Sequence, residues 1–196
     1  MAPRGRATYE MGLMMGPTGC GKSTGANEIA DSYYQAGGKV WAIDPSRAWQ
    51  GVRGVTPLWP GLRGLDTLLV EMQEWGPGLV IFDDADKYMR RPTQVRDDWM
   101  TSFRHYRKDV VLISRRPQGI PKDSISNAKW MALYAGSMTE PGARAYMREA
   151  LDAKMMKQVP TQEWHYLYLY RVGAVWSAEV KQTKPRAVVT RSDKPA

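Results

Sequence analysis

Gly16-Pro17-Thr18-Gly19-Cys20-Gly21-Lys22-Ser23-Thr24 is a run of residues whose types and spacing suit the binding of phosphate. Gly16, Gly21, Lys22 and Ser23 satisfy the pattern G-x-x-x-x-G-K-[ST]. Glycines let the backbone close around an anion with its N–H groups turned inward. A helix starting near Lys22 aims its positive end at the same point. In such a loop the lysine reaches the β- and γ-phosphates and the hydroxyl after it ligates Mg²⁺, which assigns those roles to Lys22 and Ser23. Thr24 falls beside the base or a phosphate, and Cys20 contributes a backbone amide. The second half of such a site is an acid on a neighbouring buried strand, and Leu79–Asp84, LVIFDD, supplies it. Asp83 is expected to hold Mg²⁺ together with Ser23, and Asp84 to polarise an attacking water. Adjacent acids repel unless a cation joins them. Asp84 also reads as a helix cap.

These residues need strands and helices to bring them together. Tyr9–Gly16 is a short apolar run that ends in glycine and reads as a strand, and 22–36 reads as the following helix, stopped by Gly37-Gly38. Lys39–Asp44 is a second strand. Residues 46–64 have the Gly, Pro, Arg and Trp content of a long loop. Leu65, Leu68, Leu69, Met72 and Trp75 fall at helical spacing. The acid-bearing run at 79–84 and Val110–Ser114 read as strands buried on both faces. A helix is expected over 92–107, a weaker strand over 129–136, and a helix opened by Thr139 over 139–158. Residues 163–180 alternate around Gly173 as a β-hairpin. The expected fold is α/β: a RecA-like P-loop NTPase with a mostly parallel central sheet flanked by helices, plus the carboxyl-terminal hairpin. A single domain spans 10–180, between a basic tail at 1–9 and another at 181–196.

Composition narrows the class. Lys and Arg number 28 against 20 acids, a net charge of +8, which favours a polyanionic partner. One cysteine excludes a disulfide framework and suits a reducing cytoplasm. The lone His105 and His165 give no zinc pattern. No apolar run approaches the roughly 20 residues of a spanning helix, and the amino terminus has no apolar signal core, so a soluble chain is expected. An acid directly after the metal-binding position suits hydrolysis. The absence of an NKxD sequence argues against a GTPase.

After the phosphate loop come Lys39–Pro45 (KVWAIDP), Leu79–Asp84 (LVIFDD) and Phe103–Ala128 (FRHYRKDVVLISRRPQGIPKDSISNA). Together these resemble the FtsK/HerA superfamily of DNA-translocating ATPases, and most of all its viral genome-packaging branch, found in membrane-containing phages and poxvirus-like large DNA viruses. The resemblance spans roughly residues 10–135. It rests on Asp44-Pro45, Asp83-Asp84, Arg104-His105, the Ser114-Arg115-Arg116 run, Ile120-Pro121 and Asn127. It implies an ATP- and Mg²⁺-dependent motor that moves double-stranded DNA as a homo-oligomeric ring of five or six subunits. Its setting would be the host cytoplasm or the virion, with a capsid or portal vertex protein as partner. It also implies that an arginine from the next subunit completes the site; Arg104 matches that position, with Arg107 one turn on. One departure stands out. The family has Gln where this chain has Arg115. Arginine accepts no hydrogen bond and cannot orient water as Gln does, but it can stabilise phosphate charge. Arg115 is therefore either a phosphate-sensing cation or the partner of Asp83 or Asp84 in a salt bridge.

Contacts to DNA are expected from Arg47, Arg53 and Arg63, basic residues interleaved with Trp49 and Trp59, while Arg116 is expected to contact DNA or the neighbouring subunit. The alternative is that the 46–64 loop packs on the sheet. Two other functions compete with the packaging motor. One is a phage assembly factor resembling the zonular occludens toxin proteins. The other is a nucleotide or small-molecule kinase.

Overall fold

The computed structural model describes residues 8–89 and 93–183. Most of the expected amino-terminal and carboxyl-terminal tails lies outside these residues, as do the side chains of Leu62, Arg63 and Pro141.

Apolar runs with no polar alternation become strands covered on both faces. Five parallel neighbours form the centre: β1 (Met11–Met15), β2 (Lys39–Ile43), β4 (Gly78–Phe82), β5 (Lys108–Ser114) and β6 (Trp130–Tyr134). With β3 (Val55–Leu58), β7 (His165–Val172) and β8 (Val175–Gln182) they make one sheet ordered β3-β2-β4-β5-β1-β6-β7-β8. All pairs are parallel except β6–β7 and β7–β8. The fold is thus the expected α/β sheet with an antiparallel hairpin at one edge.

Side chains of each central strand alternate between two cores. Met11, Leu13 and Met15 of β1, Val80 and Phe82 of β4, and Val110 and Leu112 of β5 face one side. There they meet Leu65, Leu69 and Met72 of α2 (Gly61–Glu74) and Trp99 and Met100 of α4 (Gln94–Ser102). Met14, Leu79, Ile81, Val111 and Ile113 face the other side, against Ala26 and Ala30 of α1 (Lys22–Gln35). Each large apolar side chain so buried contributes about 1.5–3 kcal/mol. Short helices α3 (Ala85–Met89), α5 (Lys122–Asn127), α6 (Pro141–Met147) and α7 (Ala153–Met156) complete the chain.

Three expectations change. The helix expected over 92–107 is α4 alone, Gln94–Ser102, and the chain turns from Phe103 to Arg107 before β5. The 46–64 segment is not all loop: it contributes edge strand β3, and helix α2 begins at Gly61 rather than Leu65. Pro57 lies within β3, where a missing N–H is tolerated because no strand lies beyond it. The helix expected over 139–158 is two helices. Thr139 does not open it; its hydroxyl donates to the Gly136 carbonyl at 2.8 Å, and Glu140 precedes the first turn. The break falls at Asp152, whose carboxylate accepts from the Met155 N–H at 2.7 Å and starts α7.

Candidate functional site

The phosphate loop, the acid pair and the arginine-tipped strand meet at one edge of the sheet. β1, β5, β4 and β2 are neighbours and parallel, so their carboxyl ends share that edge. They deliver in turn Gly16, Arg115, Asp83 and Asp44. β5 stands between β1 and β4, which places the phosphate loop and Asp83 two strand spacings apart, about 10 Å. The Gly16 N–H donates to the Ser114 carbonyl at 3.2 Å and ties loop to strand.

Within the loop, Gly19 and Gly21 have φ of 83° and 100°, left-handed values that favour glycine. Gly21 caps α1 with no side-chain acceptor, and the first turn of that helix carries no acid. Its leading N–H groups thus have no anionic side chain of their own. Lys22 is buried, and its Nζ donates to the loop carbonyl of Pro17 at 2.6 Å and lies 3.6 Å from Cys20 Sγ. Burial pushes the Cys20 thiol up against the pull of Lys22, so it is a neutral thiol. Ser23 is exposed and Thr24 half-buried at the start of α1. A cleft of about 330 Å³ opens between Pro17 and Thr18 at the loop tip, Arg115 and Arg116, and Gly136 to Glu140.

Asp83 is buried, and its two oxygens accept from the Trp49 indole N–H at 2.9 Å and the Asp84 N–H at 2.9 Å. Burial raises its pKa; the Trp49 bond opposes the rise, and the charges of Asp84 and Asp44 add to it. Asp44, fully buried, spends its carboxylate on the Ser46 and Trp49 N–H groups and the Ser46 hydroxyl, each at 2.8 Å. Asp83 is thus a desolvated carboxylate beside two others, and a divalent cation relieves that arrangement. At this edge Asp83 and Ser23 are the residues that could hold Mg²⁺, and the loop amides with Lys22 those that could hold a polyphosphate.

Asp84 sits at φ 50° just before α3. Lys87 Nζ lies 2.7 Å from its Oδ2, and Arg115 Nε lies 3.4 Å from its Oδ1. Burial would raise its pKa, but the Lys87 hydrogen bond and charge, with Arg115, outweigh it and hold the carboxyl below the usual range. Arg115 therefore makes the salt bridge with Asp84 that was one of its two readings. Ser114 turns the chain here: its hydroxyl donates to the Arg116 carbonyl at 2.7 Å. The exposed Arg116 pairs with Glu140 at 3.6 Å.

The remaining basic residues do not gather in one place. Arg104 donates to the carbonyls of Tyr9 and Asn127, which precede β1 and β6. It therefore lies at the opposite edge of the sheet from the phosphate loop of its own chain. Arg47, at φ 60°, covers the Trp59 ring at 5.3 Å near the carboxyl ends of β2 and β3. Arg53 instead lies over Tyr34, at the far end of α1. Trp49 is not a surface aromatic but is buried under Asp83. Sequence reasoning missed its role as donor to the acid. The available signal was that a buried indole N–H needs an acceptor. Lys87, three residues after Asp84, was missed too. A larger cleft of about 560 Å³ lies between α1 and β6–β8, lined by Tyr134, Tyr166 and Tyr168. Neither cleft is lined by Asp83 or Lys22; the smaller one is the cleft that borders the phosphate loop and Arg115.

No family model matches the sequence, and no curated protein matches it. Solved structures do match. B204, the DNA-packaging ATPase from Sulfolobus turreted icosahedral virus, superposes with a TM-score of 0.73 at 12% identity, over 91% of this chain and 98% of that one. The genome packaging NTPase B204 from Sulfolobus turreted icosahedral virus 2, in complex with ATP-gammaS, gives 0.72 at 14% identity, over 86% and 96%. The N-terminal domain of zonular occludens toxin from Neisseria meningitidis gives 0.54 at 12% identity, over 91% and 96%. The shared property is the fold, an α/β P-loop NTPase sheet flanked by helices.

Proposed function

We propose that this chain is an ATP-hydrolysing motor that moves double-stranded DNA, working as a homo-oligomeric ring that packages a viral genome in the host cytoplasm, at a capsid or portal vertex. The observation that carries the reading is the strand order: β5, tipped by Arg115, stands between the phosphate loop and Asp83-Asp84. The likeness to two B204 structures, named for packaging, supports the DNA partner.

In this reading the amides of Gly16–Thr24 and the Lys22 ammonium bind the phosphates, Lys22 exchanging the Pro17 carbonyl for the ligand. Ser23 and Asp83 hold Mg²⁺, which when bound offsets charge on the phosphate oxygens. Asp84, already ionised, accepts a hydrogen bond from the attacking water and orients it. Arg115 leaves Asp84 when a γ-phosphate arrives and returns when it departs, so β5 registers the state of the nucleotide. Arg104 faces away from its own site and serves the neighbouring subunit's. Arg47, Arg53, Arg63 and Arg116 contact the DNA backbone. The zonular occludens toxin likeness favours a second reading, an assembly ATPase that does not act on DNA.

ATP hydrolysis measured with and without duplex DNA separates these readings. Stimulation by DNA, abolished in Lys22→Ala and retained in Arg115→Gln, is the expected result. Hydrolysis indifferent to DNA would favour the assembly factor. Phosphotransfer to a nucleoside without DNA would overturn both in favour of a kinase.

A further inference from the structure

We propose that Trp164 is the nucleobase platform of this site, an inference that rests on the reading of Gly16–Thr24 as a nucleotide loop. The direction of the bound chain of phosphates follows from the sheet. The terminal phosphate belongs beside Asp83, Asp84 and Arg115, on the β4–β5 side of β1. The nucleoside must then leave the loop on the other side of β1, where β6, β7 and β8 stand. Two residues at the root of the carboxyl-terminal hairpin meet the loop on that side. Trp164 directly precedes β7 and Thr183 directly follows β8.

Their contact with the loop is close. A Cβ added to Gly21 would fall 2.9 Å from Cε3 of Trp164 and 3.6 Å from Cβ of Thr183. The indole therefore abuts the last glycine of the loop, one residue before Lys22. Trp164 sits at φ 65°, a left-handed conformation that a bulky residue seldom adopts. Such outliers persist where the surroundings enforce them and cluster at ligand clamps. Here the Thr183 N–H donates to the Trp164 carbonyl at 2.8 Å, and the buried Thr183 hydroxyl donates to the Tyr134 phenol at 3.3 Å. Trp164 itself remains partly exposed. An aromatic ring is thus fixed, with part of its surface open, where the base of a loop-bound nucleotide emerges.

Stacking of a base on an aromatic ring is largely indifferent to which base is offered, because every base has a π-face. Trp164 accordingly supplies affinity for a nucleotide over bare polyphosphate without choosing adenine over guanine. Calorimetric titration of the full-length chain with ATP, GTP and inorganic tripolyphosphate, each with Mg²⁺, tests this. Trp164→Ala should weaken ATP and GTP alike, by about tenfold, and leave tripolyphosphate unchanged. Trp164→Phe should restore most of the loss. Equal losses for ATP and tripolyphosphate in Trp164→Ala would assign the ring to propping the loop and overturn the proposal. So would an unchanged ATP affinity, while Lys22→Ala still abolished binding and left the nucleotide loop itself standing. A wild-type chain that binds none of the three would remove both readings together.

Discussion

Asp83 is a carboxylate short of positive charge, and Trp49 is the group that makes its burial tolerable. The indole N–H is the main influence opposing a raised pKa, while burial, Asp84 and Asp44 all act upward. Trp49→Phe keeps a ring in place but removes the donor from a buried oxygen. The expected cost to the ligand-free protein is about 1–3 kcal/mol, read from denaturant unfolding. The sign for metal binding follows from the same bond. If Asp83 holds Mg²⁺ as proposed, the metal needs the ionised acid, so protons compete with it from above the ordinary carboxylate value of 3.8. Mg²⁺-dependent nucleotide binding should therefore weaken on acidification at a higher pH than an exposed carboxylate would give. In Trp49→Phe that limb should move higher still; a limb that stayed put would separate Asp83 from the metal. The motif made Asp83 and Lys22 legible in the sequence. Trp49 was not, because its partner lies 34 positions away and a Trp in a basic, Gly-rich segment reads as a surface contact.

At the scale of elements, the central strands were legible because burial on both faces demands continuous apolar runs, as in VVLIS and LVIF. β3 was not, because an edge strand needs neither and tolerates Pro57. The split between α6 and α7 was hidden because Asp152 is also a permissible helix residue, and only its cap to Met155 shows the break. Lys108 joins two elements in a way no pattern announces. It is fully buried at the start of β5 and donates to the carbonyls of Trp75, Gly76 and Tyr106 at 2.6, 3.0 and 2.8 Å. It thereby pins the turn between α2 and β4, the strand that carries Asp83. Lys108→Met leaves those acceptors unpaired and should cost roughly 2–4 kcal/mol at neutral pH. Burial, with Arg107, lowers the Lys108 pKa to about 8. The unfolded chain keeps that proton to about 10.4. Between these values the unfolded state binds more protons, so this group's contribution to stability rises with pH. Thermal unfolding should show the gap between wild type and variant widening from pH 8 to 10; a narrowing gap would contradict the assignment.

For the whole molecule, the net charge is +8, and four of the described arginines divide between two edges of the sheet. Arg47 and Arg116 stand at the nucleotide edge of the sheet, whereas Arg53 and Arg104 stand at the other. Binding to duplex DNA should therefore fall steeply with salt, log affinity declining about linearly with log salt concentration. Arg47→Ala or Arg116→Ala should reduce that slope by about one. Slopes unchanged in both variants would move the DNA contact elsewhere. Among the described residues no helix is long and apolar enough to cross a membrane.

The hairpin rooted at Trp164 and Thr183 has a mechanical consequence. Each of its strands has eight residues, so its tip at Gly173 stands roughly 25 Å from the phosphate loop. β7 is paired along β6 from Tyr134↔Tyr166 to Trp130↔Tyr170, so strain at the root is shared with the sheet rather than taken up by a free arm. The tip carries exposed Val172 and Val175, so the strand that begins beside the phosphate loop ends as a greasy fingertip at the far edge of the sheet.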